Sequence, residues 1–217
     1  MNTENIAHEK RYRDWRAQYD ALFVPGNRFP SQDDQFPLTD GYSVRSKAYL
    51  YDGDLHLCGS ESELLDNEGK VRYAWRNLDT DGEFCSLFRH RNGKHYLIFR
   101  TELYGYSALE VESGQEMHYV PACVHPEVGQ KAEEVFIWTG ADYDPGTDLL
   151  AVTGCVWACP YSTIVLAALR EWDLPKLAAE IAPDWDLPTE AVQSGLETLR
   201  SHLELVQGDI ALLYEMT

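Results

Sequence analysis

The side chains best suited to chemistry are three thiols and an imidazole. Cys155 and Cys159 stand three residues apart in the intervening chain, and Cys123 is followed at one remove by His125. Thiolate sulfur and imidazole nitrogen are the donors that zinc takes in a tetrahedral shell. Cys123, His125, Cys155 and Cys159 are therefore the candidate metal ligands, and a zinc-dependent binder or enzyme is the reading they support. On one strand, positions four apart share a face but lie far from each other, so chelation requires a turn at Cys159-Pro160. Without that turn the same cysteines are small apolar side chains in a sheet. Asp142, Asp144, Gly146 and Asp148 alternate like the start of a calcium loop, but Thr153 stands where the bidentate Glu belongs. A solvated hairpin accounts for them without an ion. No Gly-x-Ser-x-Gly, P-loop, dinucleotide fingerprint or His-Glu-x-x-His occurs. His95, His118 and His125 could each serve as a base, yet spacing alone gives none of them a nucleophile. No catalytic residue is assigned, and the balance leans away from an enzyme.

Aromatic residues form the second candidate group. Tyr104, Tyr106, Trp157 and Tyr161 fall between apolar runs. Tyr and Trp beside acidic residues suit a protein-binding face. The competing reading is that they pack one sheet against the next.

Charge narrows the partners. Lys and Arg total 18 against 36 Asp and Glu, for a net charge of -18. Nucleic acid and anionic membrane surfaces repel such a chain. The local patch of Arg89, His90, Arg91, Lys94, His95 and Arg100 is too small to offset it. A basic protein partner is expected instead, drawn in by electrostatic steering. The five cysteines are odd in number and widely spaced, and the first residues carry no apolar core of a secretory signal. A reduced, cytoplasmic chain follows.

Hydrophobic spacing then supplies the elements. Tyr12, Trp15, Tyr19, Leu22 and Phe23 recur at helical intervals and predict a helix over residues 4–23, stopped by Pro25-Gly26. Residues 27–40 read as a loop. Asp52-Gly53 predicts a hairpin turn between strands at 43–51 and 54–58, with 61–70 as an acidic loop. Val71, Tyr73 and Trp75 alternate with polar residues, as a half-buried strand requires. Further strands follow at 84–90, 94–101, 105–111, 116–120, 134–143, 148–157 and 161–166. Trp172-Asp173-Leu174-Pro175 recurs as Trp185-Asp186-Leu187-Pro188, and each can open a helix. Apolar residues from Val192 to Leu213 keep a helical period, with a terminal hairpin at Gln207-Gly208-Asp209 as the rival.

Two stretches also match one another at an offset of roughly 53–55 residues. Asn92-Gly93 and its strand align with Pro145-Gly146 and its strand, and Tyr106-Ser107 aligns with Tyr161-Ser162. The pieces Tyr96-Leu97-Ile98-Phe99-Arg100, Phe136-Ile137-Trp138 and Gly154-Cys155-Val156-Trp157 belong to the same region. From His95 to Leu166 the chain resembles a group of uncharacterised bacterial proteins whose repeats look like blades of a β-propeller. The resemblance implies blade-like meanders and carries no activity. Two clear copies are fewer than the roughly four blades a closed propeller needs, so the arrangement is expected to be open.

The expected fold is mainly β: repeated antiparallel β-meanders, open and propeller-blade-like, with an N-terminal helix and C-terminal helices. One domain spans 1–217, divided into 1–40 (helix and loop), 41–170 (meanders) and 171–217 (mostly helical). The expected function is a non-enzymatic protein-interaction module with an acidic surface. An immunity-type protein that neutralises a basic toxin is a sharper version, the zinc-dependent binder is an alternative, and self-association through open sheet edges is a further one.

Overall fold

Alternation of side chains gives the strands at 95–99 and 106–110, in the middle of the meander region, two buried faces. A computed structural model describes residues 4–51, 57–78, 84–146, 149–155 and 162–165, with Pro188 and Glu190 alone beyond them. The Asp52-Gly53 turn, residues 156–161, the Trp-Asp-Leu-Pro motifs apart from Pro188, and the expected C-terminal helices lie outside the described residues.

Three antiparallel sheets follow one another along the chain. The first runs β1 (Asp34–Pro37), β2 (Ser43–Tyr51), β3 (Leu57–Leu65), β4 (Val71–Asn77), in that spatial order. The second runs β5 (Cys85–Arg89), β6 (His95–Phe99), β7 (Tyr106–Glu110), β8 (Gln115–Tyr119), again in order. The third holds β9 (Ile137–Asp144), β10 (Leu149–Cys155) and β11 (Ser162–Val165), with β10 central. Every neighbouring pair is antiparallel.

The second sheet lies between the other two. Leu87, Leu97, Phe99 and Leu109 face the first sheet, where they meet Val44, Leu64 and Trp75. Their alternates Ile98, Tyr106 and Ala108 face the third sheet and meet Trp138, Ala141, Leu150 and Val152. All five residues of β7 are buried. The two interfaces are closed by rings: Trp75 lies 4.9 Å from Phe99, and Tyr106 stacks on Trp138 at 4.4 Å. Full burial of such a side chain contributes about 1.5–3 kcal/mol, so these contacts outweigh the weaker hydrogen-bond terms at the rims.

The ladder steps of β6–β7 recur in β10–β11 at one constant offset. Phe99 faces Ser107 as Gly154 faces Ser162, and Leu97 faces Leu109 as Val152 faces Ile164.

Several boundaries differ from the sequence expectation. The N-terminal helix α1 spans only Lys10–Ala17, because residues before it are claimed by the second sheet. Asn5 bridges Pro121, and its amide accepts from Val120 N at 3.1 Å while donating to the His118 carbonyl at 2.9 Å. After Ala17 the chain tightens into bonds from Gln18 N to Trp15 O and from Tyr19 N to Arg16 O, then a 3₁₀ turn at Asp20–Leu22. The expected loop at 27–40 contains β1, which pairs with β2. The acidic tract at 61–65 belongs to β3: Glu61 and Glu63 reach Arg76 and Arg45, while Ser62 and Leu64 turn inward. Charge concealed a period of two there.

Gly105 shows how tightly the core sheet is built. Its φ is +78°, and a Cβ there would stand 2.1 Å from the Tyr119 carbonyl oxygen. Gly114 has a similar φ of +72° but open space around it. Gly114→Ala is expected to cost about 1 kcal/mol from backbone strain alone. Gly105→Ala adds a backbone clash and should cost about 3 kcal/mol or more. Urea denaturation of both variants checks this; equal losses would mean that the close approach at Gly105 is relaxed.

Candidate functional site

Among the described residues, one cleft is lined by α1 together with strands of the first and second sheets. Its volume is about 430 Å³. β4 supplies Tyr73, Trp75 and Arg76, β8 supplies His118, and α1 supplies Tyr12, Arg13 and Arg16, with Asp20 and Phe23 just beyond. The strand alternation that buries Trp75 also brings Tyr73 and Trp75 to this side, with their rings 6.1 Å apart.

Arg16 fixes the roof. It donates from Nη1 to the Thr101 carbonyl at 2.8 Å and from Nη2 to the Arg76 carbonyl at 3.1 Å. Thr101 O also accepts from Leu78 N, so one carbonyl joins the helix to both sheets. Arg76 is held by Glu61 at 2.9 Å and Asp20 at 3.3 Å, and lies over the Phe23 ring at 4.5 Å. Arg13 is exposed and forms no ion pair among the described residues.

Burial sets the protonation of the inner groups. The Tyr12 phenol is pushed up to about 12, first by burial and then by the Glu102 carboxylate. Its hydroxyl, next to Arg16 and Thr101, has no hydrogen-bond partner of bonding geometry. The His118 imidazole is held below its ordinary 6.5, first by burial, against the opposite pull of Glu116 and with added repulsion from His8 and Arg16. It stands neutral at pH 7. Tyr73 is raised by burial and by Glu116, to which its hydroxyl donates.

Ser107, His118 and Glu116 fall in the order of a hydrolase triad. Ser107 Oγ is 2.7 Å from His118 Nδ1, and His118 Nε2 is 3.8 Å from Glu116. Ser107 is only 1% exposed, beneath the sheet interface, and the Glu116 distance is too long for a hydrogen bond. The pair satisfies buried polar groups; it offers no accessible nucleophile.

The residues singled out from sequence distribute differently. Tyr106 is 2% exposed and stacked on Trp138 and Tyr119, which makes it core packing and no part of an exposed binding face. Tyr104 is half-buried against the cluster around Ile6, Val120 and Val135. Trp157 and Tyr161 lie outside the described residues. Cys123 is buried in the 3₁₀ turn Ala122–Val124. His125 Nε2 faces the Glu102 carboxylate at 3.0 Å, and its ring packs 4.3 Å from Trp15. Cys155 sits on β10 opposite Ile137. Cys159 is outside the described residues. Among the described residues no group of three His, Cys, Asp or Glu is placed to hold a metal. In the stretch 142–146, Asp144 Oδ1 accepts from Gly146 N at 3.0 Å, a turn contact of the kind a solvated hairpin makes.

The basic patch at 89–100 is also dismantled. His90 and Arg100 are buried, Lys94 pairs with Glu110 at 2.8 Å, and His95 bridges Asp40 and Glu112. The cleft arginines were legible in another way: four of the 18 lysines and arginines crowd between Lys10 and Arg16. That local density in an acidic chain was the available signal.

Comparisons of the chain with protein-family models, with curated proteins and with solved structures found no match. Among the described residues no helix is long and apolar enough to cross a membrane.

His95 and His118 make opposite contributions to stability against pH. Burial lowers the His95 pKa, but the hydrogen bonds to Glu112 and Asp40 overcome it and raise the net value above 6.5. Its contribution is complete below 6.5 and is lost as pH rises through the raised value. His118, depressed when folded, contributes above 6.5 and loses that contribution as pH falls through the lowered value. Thermal midpoints measured from about pH 8 to about pH 5 should fall less on the acid side for His118→Asn than for the parent. His95→Gln should lose the acid-side gain. Parallel curves for all three proteins would contradict both assignments.

Proposed function

We propose that the chain is a non-enzymatic protein-interaction module that recognises a basic partner through its acidic surface. The observation that carries this is the disposition of its cations. With a net charge of -18, the chain spends much of its positive charge internally. Arg28 holds Asp33 at 2.6 Å, Arg45 holds Glu63 at 2.6 Å, and Arg76 and Lys94 are tied to Glu61 and Glu110. The excess carboxylates therefore dominate the field outside, which favours a positive surface on approach.

The segment 127–134 is the best docking element in this reading. Glu127, Val128, Glu133 and Glu134 are exposed there. The loop is anchored by Glu133 N donating to the Cys123 carbonyl at 2.9 Å and Gln130 N to the Glu127 carbonyl at 3.0 Å. Exposed Val128 among the carboxylates of Glu127, Glu133 and Glu134, with Lys131 as the cation of the segment, supplies both an apolar contact and a net negative charge.

In the same proposal, β5–β8 and β9–β11 are copies of one blade-like unit in an open stack. The constant ladder offset and the face-to-face packing support that reading. The cell interior is its compartment, and an immunity-type role against a basic toxin is its sharpest form.

Affinity capture on the immobilised full chain, followed by titration of each captured protein, tests the function. The expected partner is basic, and its affinity falls steeply between about 50 and about 500 mM salt. The double substitution Glu133→Lys, Glu134→Lys should weaken it about tenfold or more while leaving thermal stability near that of the parent. Failure to capture a protein, or binding indifferent to salt, would reject the proposal.

A further inference from the structure

The cleft under α1 has the wrong charge for the role its surroundings suit, and that contrast is informative. The chain carries twice as many acids as bases, yet three arginines converge on one cleft of about 430 Å³. Asp20 is the acid among its lining residues, and Arg76 already holds it at 3.3 Å. Arg16 is bound to two backbone carbonyls, which orient its guanidinium without cancelling its charge. Arg13 is exposed and has no ion pair among the described residues. Two guanidinium charges are thus presented at the mouth and roof without a carboxylate.

The remaining lining is flat and apolar. Trp75, Tyr73 and Phe23 contribute aromatic edges to the lining, with Arg76 over the Phe23 ring, and Tyr12 adds a buried hydroxyl with no hydrogen-bond partner of bonding geometry. The volume lies in the range of small-molecule sites, and convergent polar groups over an aromatic floor are their usual composition. Guanidinium forks match carboxylate and phosphate oxygens two at a time. Neutral His118 can donate or accept at the inner end without adding charge.

We propose that this cleft binds a small organic anion, with its anionic head held by Arg13 and Arg16 and a planar apolar body resting on Trp75 and Tyr73. Carboxylate and phosphate heads share the required chemistry. The site is separate from the acidic surface that would receive a basic protein, so either assignment can fail alone. Arg16 is a strap as well as a ligand group, whereas Arg13 is free to act on the ligand alone.

The test is a titration of the isotope-labelled full chain, followed by amide and indole resonances. The probes are naphthalene-2-carboxylate, naphthalene-2-yl phosphate, the uncharged naphthalene-2-methanol and inorganic phosphate. Saturable shifts centred on Arg13, Trp75 and His118 are expected with either aromatic anion, and the stronger of the two identifies the head group. The uncharged alcohol should bind at least about tenfold more weakly, as loss of a charge-assisted hydrogen bond requires. Arg13→Gln, an exposed substitution expected to leave the thermal midpoint unchanged, should weaken the anions by about the same factor. No saturable shifts with either anion would overturn the proposal. So would equal binding of acid and alcohol, or indifference to Arg13→Gln. Inorganic phosphate binding as tightly as the aromatic anions would overturn the assignment of an aromatic body.

Discussion

Burial of both faces of the β5–β8 sheet is the constraint on which the rest of the structure depends. A half-buried sheet can tolerate polar residues on alternate positions, whereas on β7 the polar Ser107 and Glu110 are buried and held by His118 and Lys94. Leu97, Phe99 and Leu109 need the first sheet, while Ile98, Tyr106 and Ala108 need the third. A slip of one residue would exchange the two sets and mismatch both interfaces. The sheet order, the bulge at Thr153/Gly154 and the close approach at Gly105 all serve that double fit.

The N-terminal segment is positioned by the rim of this stack. Asn5 takes the place of a further backbone partner beside β8, and Arg16 reaches the carbonyls at the ends of β4 and β6. Both are polar contacts between elements far apart in sequence. They place a short helix along one wall of the cleft. The same arrangement buries Glu102 with His125 behind Tyr12 and Trp15, where aromatic packing replaces solvent.

Charge is partitioned in a way that composition alone conceals. Several strand cations are used against neighbouring carboxylates: Arg45 and Arg76 meet Glu63 and Glu61, and in the basic run Lys94 meets Glu110 while His95 meets Glu112 and Asp40. On α1, Lys10 and Arg11 pair with Asp14 and Glu9, while Arg13 and Arg16 line the cleft. Among the described residues, ion-paired cations on the strands thus coexist with two arginines of α1 that line a cleft.

The sequence by itself determined the strands from residue 71 to residue 165. Apolar alternation at Val71, Tyr73 and Trp75, and turns at Asn92-Gly93 and Ser113-Gly114, are local signals that tertiary packing reinforces. It did not show that 61–65 is strand, because carboxylates on the open face looked like a loop until Arg45 and Arg76 paired with them. Nor did it limit the first helix, because Asn5 is claimed by a partner more than a hundred residues away. The candidate site was the least legible part. Tyr106 reads alike whether it faces solvent or Trp138, and only the neighbouring sheet decides which. Arg13, Arg16, Trp75 and His118 come from three distant segments, and the cleft they line exists only where those segments meet. Periodicity is a property of the local chain, whereas a cleft is a property of how separate elements meet.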